Sequence, residues 1–293
     1  MPSDVAPISV VIPAYNAERF IAEAIRSVHA QTLRPSEIIV IADDCSDRTP
    51  QIAADLGATV LEQKRRNMAA GLNLGISAST QPWIAFHDAD DLWERDKIAL
   101  QWKIVESRPD VGIVSCDLYT LYEGRVMATS KRGRRERWNN LPSTRLGEHS
   151  HFFERVEGDF LVRFYFQTTT VLLRRDVLSS VGNFDESLIW GQTPELFARV
   201  MARYPAGFVE KPLVYVRVHS SNHSRNLEGG WLSHLSIIER MLKNPDLYPA
   251  GAGKALREHL KRDFHQQERV LALMRASKSD SAEQSQPNNP NQP

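Results

Sequence analysis

The sequence predicts an open, mainly parallel α/β sheet with helices on both faces. Three observations carry that expectation: short β-branched runs without polar alternation, segments of helical period between them, and a repeated strand–helix order through residues 8–86. Ile8-Ser9-Val10-Val11-Ile12 is the first such run and stops at Pro13. Asn16 then stands where a cap would open a helix whose apolar positions are Phe20, Ile21, Ala24, Ile25 and Val28. Residues 37–41 read as a second buried strand. Thr49-Pro50 supplies a cap and a first-turn proline for the next helix, and Gly57 closes it. Thr59-Val60-Leu61 is a third strand, residues 69–78 a small-residue helix, and Trp83-Ile84-Ala85-Phe86 a fourth strand.

The second half is less regular. Residues 111–119 read as a strand, and residues 123–160 as a long, mobile connection that carries a basic run at 131–137. Strand character resumes at 169–173 and 208–218, with a helix opening at Pro194 between them. Two further helices are expected at about 231–243 and 253–275. Residues 277–293 are Ser, Gln, Asn and Pro with almost nothing apolar, the composition of a disordered tail.

Composition narrows the function classes. The 293 residues are 42% apolar and 25% charged, and 36 basic side chains cancel 36 acidic ones, which argues against bulk nucleic-acid binding. Cys45 and Cys116 stand far apart without a second Cys or patterned His, so neither a disulfide framework nor a zinc site is indicated, and a reducing compartment is favoured. Residues 1–7 lack a leader pattern and no stretch approaches about 18 apolar residues. The expectation is a cytoplasmic protein. The basic run, and a helix whose apolar positions include Leu256, Leu260 and Phe264, leave peripheral contact with an inner membrane face, or with a second copy, open.

In open parallel sheets ligands bind beyond the carboxyl ends of the strands. Asp43 and Asp44 follow the second strand there, and Asp88, Asp90 and Asp91 follow the fourth. Gathered carboxylates repel one another unless a cation compensates, and hard oxygen ligands suit Mg2+ or Mn2+, which also contact phosphates. Asp91 has a second reading, as the cap of a helix opening at Leu92. No G-x-G-x-x-G follows the first strand and no phosphate-loop motif occurs, so dinucleotide-binding dehydrogenases and phosphate-loop NTPases lose their phosphate cradle. Pro13-Ala14-Tyr15-Asn16 supplies neither the paired aspartates of an aspartyl phosphatase nor the Gly-rich basic loop of a sugar-nucleotide pyrophosphorylase.

Residues 9–16, then Asp43-Asp44 with Ser46-Asp47, then residues 83–93 around His87-Asp88-Ala89-Asp90-Asp91 resemble the family 2 glycosyltransferases of GT-A fold. The resemblance continues through Gly182-Asn183-Phe184-Asp185-Glu186 and Tyr215-Val216-Arg217-Val218-His219, covering about residues 8–226. It implies a donor-binding half at about 8–120 and an acceptor-side half at about 121–226, and the two helices read beyond it form a C-terminal helical extension at 227–276. It implies that Pro13 and Tyr15 line a base pocket with Tyr15 stacked on the nucleobase, and that Asp44 accepts from a uracil-like ring N–H. Asp88 and Asp90 become the Asp-x-Asp pair, with Asp90 on the metal and Asp88 on the ribose or a metal-bound water. His219 becomes a candidate for the metal or diphosphate.

Two departures stand out. The family places a Glu-Asp pair before the helix that follows Asp185-Glu186, and the Asp is the expected base. Here Gln192 and Thr193 occupy those positions. Glu195, two residues on, is the substitute candidate, although a carboxylate in a first helical turn is also good electrostatics and Thr193-Pro194 is an ordinary helix start. The arginine expected after the loop is Leu72, so a basic group for the diphosphate falls to Arg65 or Arg66. The resemblance thus implies a metal-dependent, inverting sugar transfer from a nucleoside-diphosphate donor to a glycan or lipid-linked glycan in polysaccharide assembly. The alternative is a donor-binding scaffold that transfers poorly.

Overall fold

Strand β1 (Val5–Ala14) fixes the architecture: Ile8, Val10, Val11 and Ile12 are fully buried, which requires pairing on both edges and cover on both faces. In the computed structural model, which describes residues 4–64, 67–122, 124–129, 143–157, 167–189, 191–219 and 237–258, both conditions are met. β1 pairs in parallel with β2 (Arg34–Asp43) and β4 (Trp83–Phe86), and β2 with β3 (Thr59–Gln63). Three helices make the crossovers: α1 (Ile21–His29), α2 (Thr49–Asp55) and α3 (Met68–Ala78). α1 and α2 bury Ile21, Ile25, Val28 and Ala53 on one face of the sheet. α3 buries Ala69, Leu72 and Ile76 on the other.

Beyond β4 come β5 (Leu92–Trp93), α4 (Lys97–Ser107), β6 (Ile113–Tyr122), β7 (Arg125–Thr129), β8 (Thr144–Arg145) and β9 (Ser150–Phe153). A turn of 3-10 helix (Thr168–Thr170) leads into β10 (Leu172–Arg174), followed by α5 (Leu178–Val181), α6 (Gln192–Met201) and β11 (Ala206–Val218). The described strands form one sheet in the order β3-β2-β1-β4-β10-β6-β11-β9-β8, with β5 on β11 and β7 on β6. β10 is antiparallel to both neighbours, and β6 and β11 are parallel to each other. Leu172 stands opposite both Ala85 and Val114, so the carboxyl end of β4 is level with the start of β6, which runs on to Tyr122. Residues 237–258 pack on α6 through Ile237, Met241, Tyr248 and Ala252. Among the described residues no helix is long and apolar enough to cross a membrane.

The structure corrects several local expectations. Asn16 does not cap α1, which begins at Ile21; its φ of +46° turns the side chain away, and its Oδ1 accepts from the Ser46 N–H at 2.8 Å. No helix opens at Leu92. That residue is in β5, and Asp91 instead accepts from the Arg217 N–H at 3.0 Å. The connection expected over 123–160 contains β7 and β8, short edge strands, and β9, paired between β11 and β8; their polar residues hid the pairing. The helix expected from Pro194 starts at Gln192. Arg65, Arg66, the basic run at 131–137 and the tail at 277–293 lie outside the described residues.

Gly75 sets how closely α3 approaches the sheet, because a Cβ there would lie 2.3 Å from Cγ1 of Val11. Val11 pairs with Phe86, two residues before Asp88. Gly75→Ala is therefore expected to lower the unfolding free energy by about 1–3 kcal/mol, as overpacking does. Urea denaturation checks this, and an unchanged midpoint would contradict the close approach.

Candidate functional site: a cleft at the carboxyl edge of the sheet

The loops after β1 and β2 are laced to each other. Ala17 N–H donates to Thr49 Oγ1 at 2.8 Å, Glu18 N–H to Asp47 Oδ2 at 3.0 Å, and Thr49 N–H to Asp47 Oδ1 at 2.9 Å. Asp44 donates its N–H to the Gln63 carbonyl at 2.8 Å and sits at φ +56°. Asn16 and Asp44 are the described non-glycine residues with positive φ, a costly conformation that persists only where the surroundings impose it. Together these bonds bring the two loops alongside each other. Pro13 is partly buried at the end of β1, while Tyr15, 48% exposed, and Asp44 face solvent. An exposed ring and an exposed carboxylate suit a planar base with ring N–H donors.

Asp88, Asp90 and Asp91 follow β4, with the end of β11 opposite. His219 Nε2 lies 2.9 Å from Asp90 Oδ2. Asp88 Oδ1 is buried without a hydrogen-bond partner among the described residues. Burial, then the neighbouring Asp90 charge, pushes the Asp88 carboxyl up to about 7. Asp91 is held well above the ordinary carboxylate range by burial and by both other aspartates. His87 is driven the other way, to about 3, by burial and by Lys97, so its ring is neutral where it pairs through Nδ1 with Thr169 Oγ1 at 3.2 Å.

These residues fit a divalent cation. The orphaned Asp88 oxygen lacks a positive partner, and the set is two carboxylates and an imidazole, ligands that Mn2+ accepts. Asp90 Oδ2 and His219 Nε2, 2.9 Å apart, are the atoms that would hold such a cation together. Among the described residues no group of three or more His, Cys, Asp or Glu side chains is assembled to hold a metal, so Asp90 and His219 are the pair in contact and the further ligands would have to be diphosphate oxygens and water.

Across the cleft from the loops after β1 and β2, the turn Thr168–Thr170 ties three elements together. Thr168 Oγ1 pairs with Thr193 Oγ1 at 2.8 Å, Thr169 Oγ1 with His87, and Thr170 Oγ1 with Ser115 Oγ at 2.8 Å. Thr193 is thus a buried hydroxyl, and Gln192 Oε1 is buried without a hydrogen-bond partner among the described residues. Glu195 is not placed as a free base. Its Oε1 accepts from Arg199 Nε at 2.8 Å and Tyr248 Oη at 2.8 Å, and its Oε2 from Arg199 Nη2 at 2.7 Å, at 2% exposure. The bidentate guanidinium pair and the tyrosine hydroxyl engage both carboxylate oxygens, leaving neither aimed at an incoming acceptor. The i,i+4 spacing of Glu195 and Arg199 on α6 foretells their pairing; the part played by Tyr248 had no local signal.

Sequence reasoning also missed Phe20, Arg217 and Lys97. Phe20 read only as an apolar helix position. Lys97 is fully buried, its Nζ bonded to Gln101 Oε1 at 2.9 Å and lying 3.9 Å from the Trp93 ring centroid. Leu72, where a basic group would be expected, is fully buried in the core.

The fold is that of the GT-A glycosyltransferases. The structure aligns with TarS of S. aureus in complex with UDP-GlcNAc at a TM-score of 0.68 and 18% identity, over 88% of this chain and 72% of that one. It aligns with the mannosyltransferase PcManGT of Pyrobaculum calidifontis, in complex with GDP-Man and Mn2+, at 0.61 and 19%, over 94% and 83%. The signature of glycosyl transferase family 2 matches residues 9–182, and the chain belongs to that family. Among relatives, the amylovoran biosynthesis glycosyltransferase AmsB of Erwinia amylovora is 26% identical over 205 residues, 65% of this chain and 62% of AmsB. An uncharacterized glycosyltransferase of Rickettsia conorii is 40% identical over 103 residues, 34% of this chain and only 17% of that protein.

Two outcomes follow from the buried charges. Breaking the Glu195–Arg199 pair strands a buried guanidinium, so Glu195→Ala is expected to destabilise the protein by about 3–5 kcal/mol, read by chemical denaturation. Lys97 is pushed down to about 8 by burial. Below pH 8 the folded and unfolded chains are both protonated there and the burial cost is undiminished. Between pH 8 and about 10.5 the folded chain sheds the proton that the unfolded chain keeps, so stability rises with pH. Wild type should gain stability relative to Lys97→Met across that window, measured as the difference in urea midpoints.

Proposed function

We propose that this glycosyltransferase domain moves a sugar from a UDP-type donor to a glycan or lipid-linked glycan in polysaccharide assembly, with inversion at the anomeric carbon and with Mn2+ or Mg2+ bound. The observation that carries the reading is the meeting of Asp88, Asp90 and His219 at one edge of the sheet, beside the loops that present Tyr15 and Asp44. Tyr15 and Pro13 receive the base, Asp44 accepts from its ring N–H, Asp90 and His219 hold the cation, and Asp88 holds the ribose or a water on the cation. A bound divalent cation supplies neutralisation of the charge that grows on the departing diphosphate. Arg65, outside the described residues, is the further candidate for that diphosphate. The complexes of TarS with UDP and UDP-GlcNAc, and of PcManGT with GDP-Man and Mn2+, support this assignment, and the name of AmsB supports the polysaccharide setting.

A second reading has its own observation. Gln192 and Thr193 offer no carboxylate and both oxygens of Glu195 are engaged, so a protein that binds donor without efficient transfer is the alternative. Calorimetry and turnover separate the two. Asp90→Ala is expected to weaken Mn2+-dependent UDP binding at least tenfold, consistent with loss of a ligand; equal binding in the variant removes the cation assignment. Release of UDP from UDP-sugars across a panel of glycan acceptors supports transfer. Tight binding without release favours the scaffold.

A further inference from the structure

Phe20 precedes the first residue of α1 and is half-buried, yet it belongs to none of the three apolar clusters. Its ring lies among basic side chains. The His219 imidazole stacks on it with centroids 4.7 Å apart and planes 26° from parallel. The Arg217 guanidinium carbon lies 5.3 Å from its centroid and that of Arg19 lies 5.4 Å away. Arg217 is in turn tied to Glu23 of α1 by its side chain and to Asp91 by its backbone N–H. One aromatic face therefore joins the start of α1, next to the base-binding loop, to the end of β11.

His219 lies one residue past β11, where the ladder no longer fixes its direction. An imidazole on two rotatable bonds reaches Asp90 in only a fraction of its rotamers unless something flat holds it. We propose that Phe20 is a positioning residue for the cation site: its ring fixes the plane of the His219 imidazole so that Nε2 faces Asp90. The inference rests on the reading that His219 and Asp90 share a cation, and it adds the residue that orders them. It differs from a packing role because the shape of the ring, not its volume, does the ordering.

Mn2+ titration of the full chain with UDP, followed by the electron paramagnetic resonance signal of free Mn2+, tests this without any turnover. Phe20→Leu keeps an apolar side chain of similar size and loses the flat face, and is expected to weaken Mn2+ about tenfold, the lower end of what loss of a ligand-orienting group costs. Phe20→Tyr keeps the ring and should stay within about twofold of wild type. In a His219→Ala background, Phe20→Leu should cost nothing further, since the two changes remove one interaction. Wild-type Mn2+ affinity in Phe20→Leu, or additive losses in the double variant, overturns the proposal while leaving the cation site standing. If His219→Ala itself leaves Mn2+ affinity unchanged, the assignment of His219 as a ligand fails first and the role of Phe20 goes with it. Thermal unfolding of each variant confirms that the folded chain is being titrated.

Discussion

Three consecutive threonines hold the two halves of the cleft in register. The Thr168, Thr169 and Thr170 hydroxyls reach, in order, the start of α6, the residue before Asp88, and β6. Their carbonyls are used as well. Thr169 O accepts from the Trp93 indole at 3.0 Å, and Thr170 O from Gln101 Nε2 at 2.8 Å. Each of these groups is buried, and an unmet buried polar group costs roughly 1–3 kcal/mol, so the turn has little freedom to adopt another arrangement. Because a single short turn carries all three links, the start of α6 cannot shift without disturbing His87 and the aspartates behind it.

The loops after β1, β2 and β4 carry strain and charge that the packed strands beneath them must offset. Asn16 and Asp44 adopt left-handed backbone that their cross-loop bonds impose. Asp88 and Asp91 carry raised carboxyls because burial and mutual repulsion disfavour ionisation. Both features oppose folding locally. The apolar strands β1, β2 and β4 around them supply the stability that tolerates this.

Much of the donor half was legible in the chain order. Apolar runs such as residues 8–12 announce doubly buried strands by composition alone, and Thr49-Pro50 and Gly57 announce the ends of α2. The acidic residues could be assigned to one edge because parallel strands place all their carboxyl ends together. The second half was less legible, since β7, β8 and β9 are short strands of mixed composition, and β9 finds its main partner, β11, far along the chain. Glu195 shows the limit clearly. Its place in a first helical turn fits a base and a structural ion pair equally, and only Tyr248, far along the chain, completes the choice.

The sequence by itself determined the strand–helix order of the first half, the edge at which its carboxylates collect, and the membership in glycosyl transferase family 2. These are properties of local period and of motif spacing. Tertiary structure alone decided which side chains are spent and which remain available. Arg199 and Tyr248 occupy Glu195, Thr168 occupies Thr193, Arg217 engages Asp91, and Phe20 stacks on His219. The physical reason is that a carboxylate, a hydroxyl or an imidazole is chemically ambiguous until its partners are fixed, and here those partners come from strands and helices far apart in the chain.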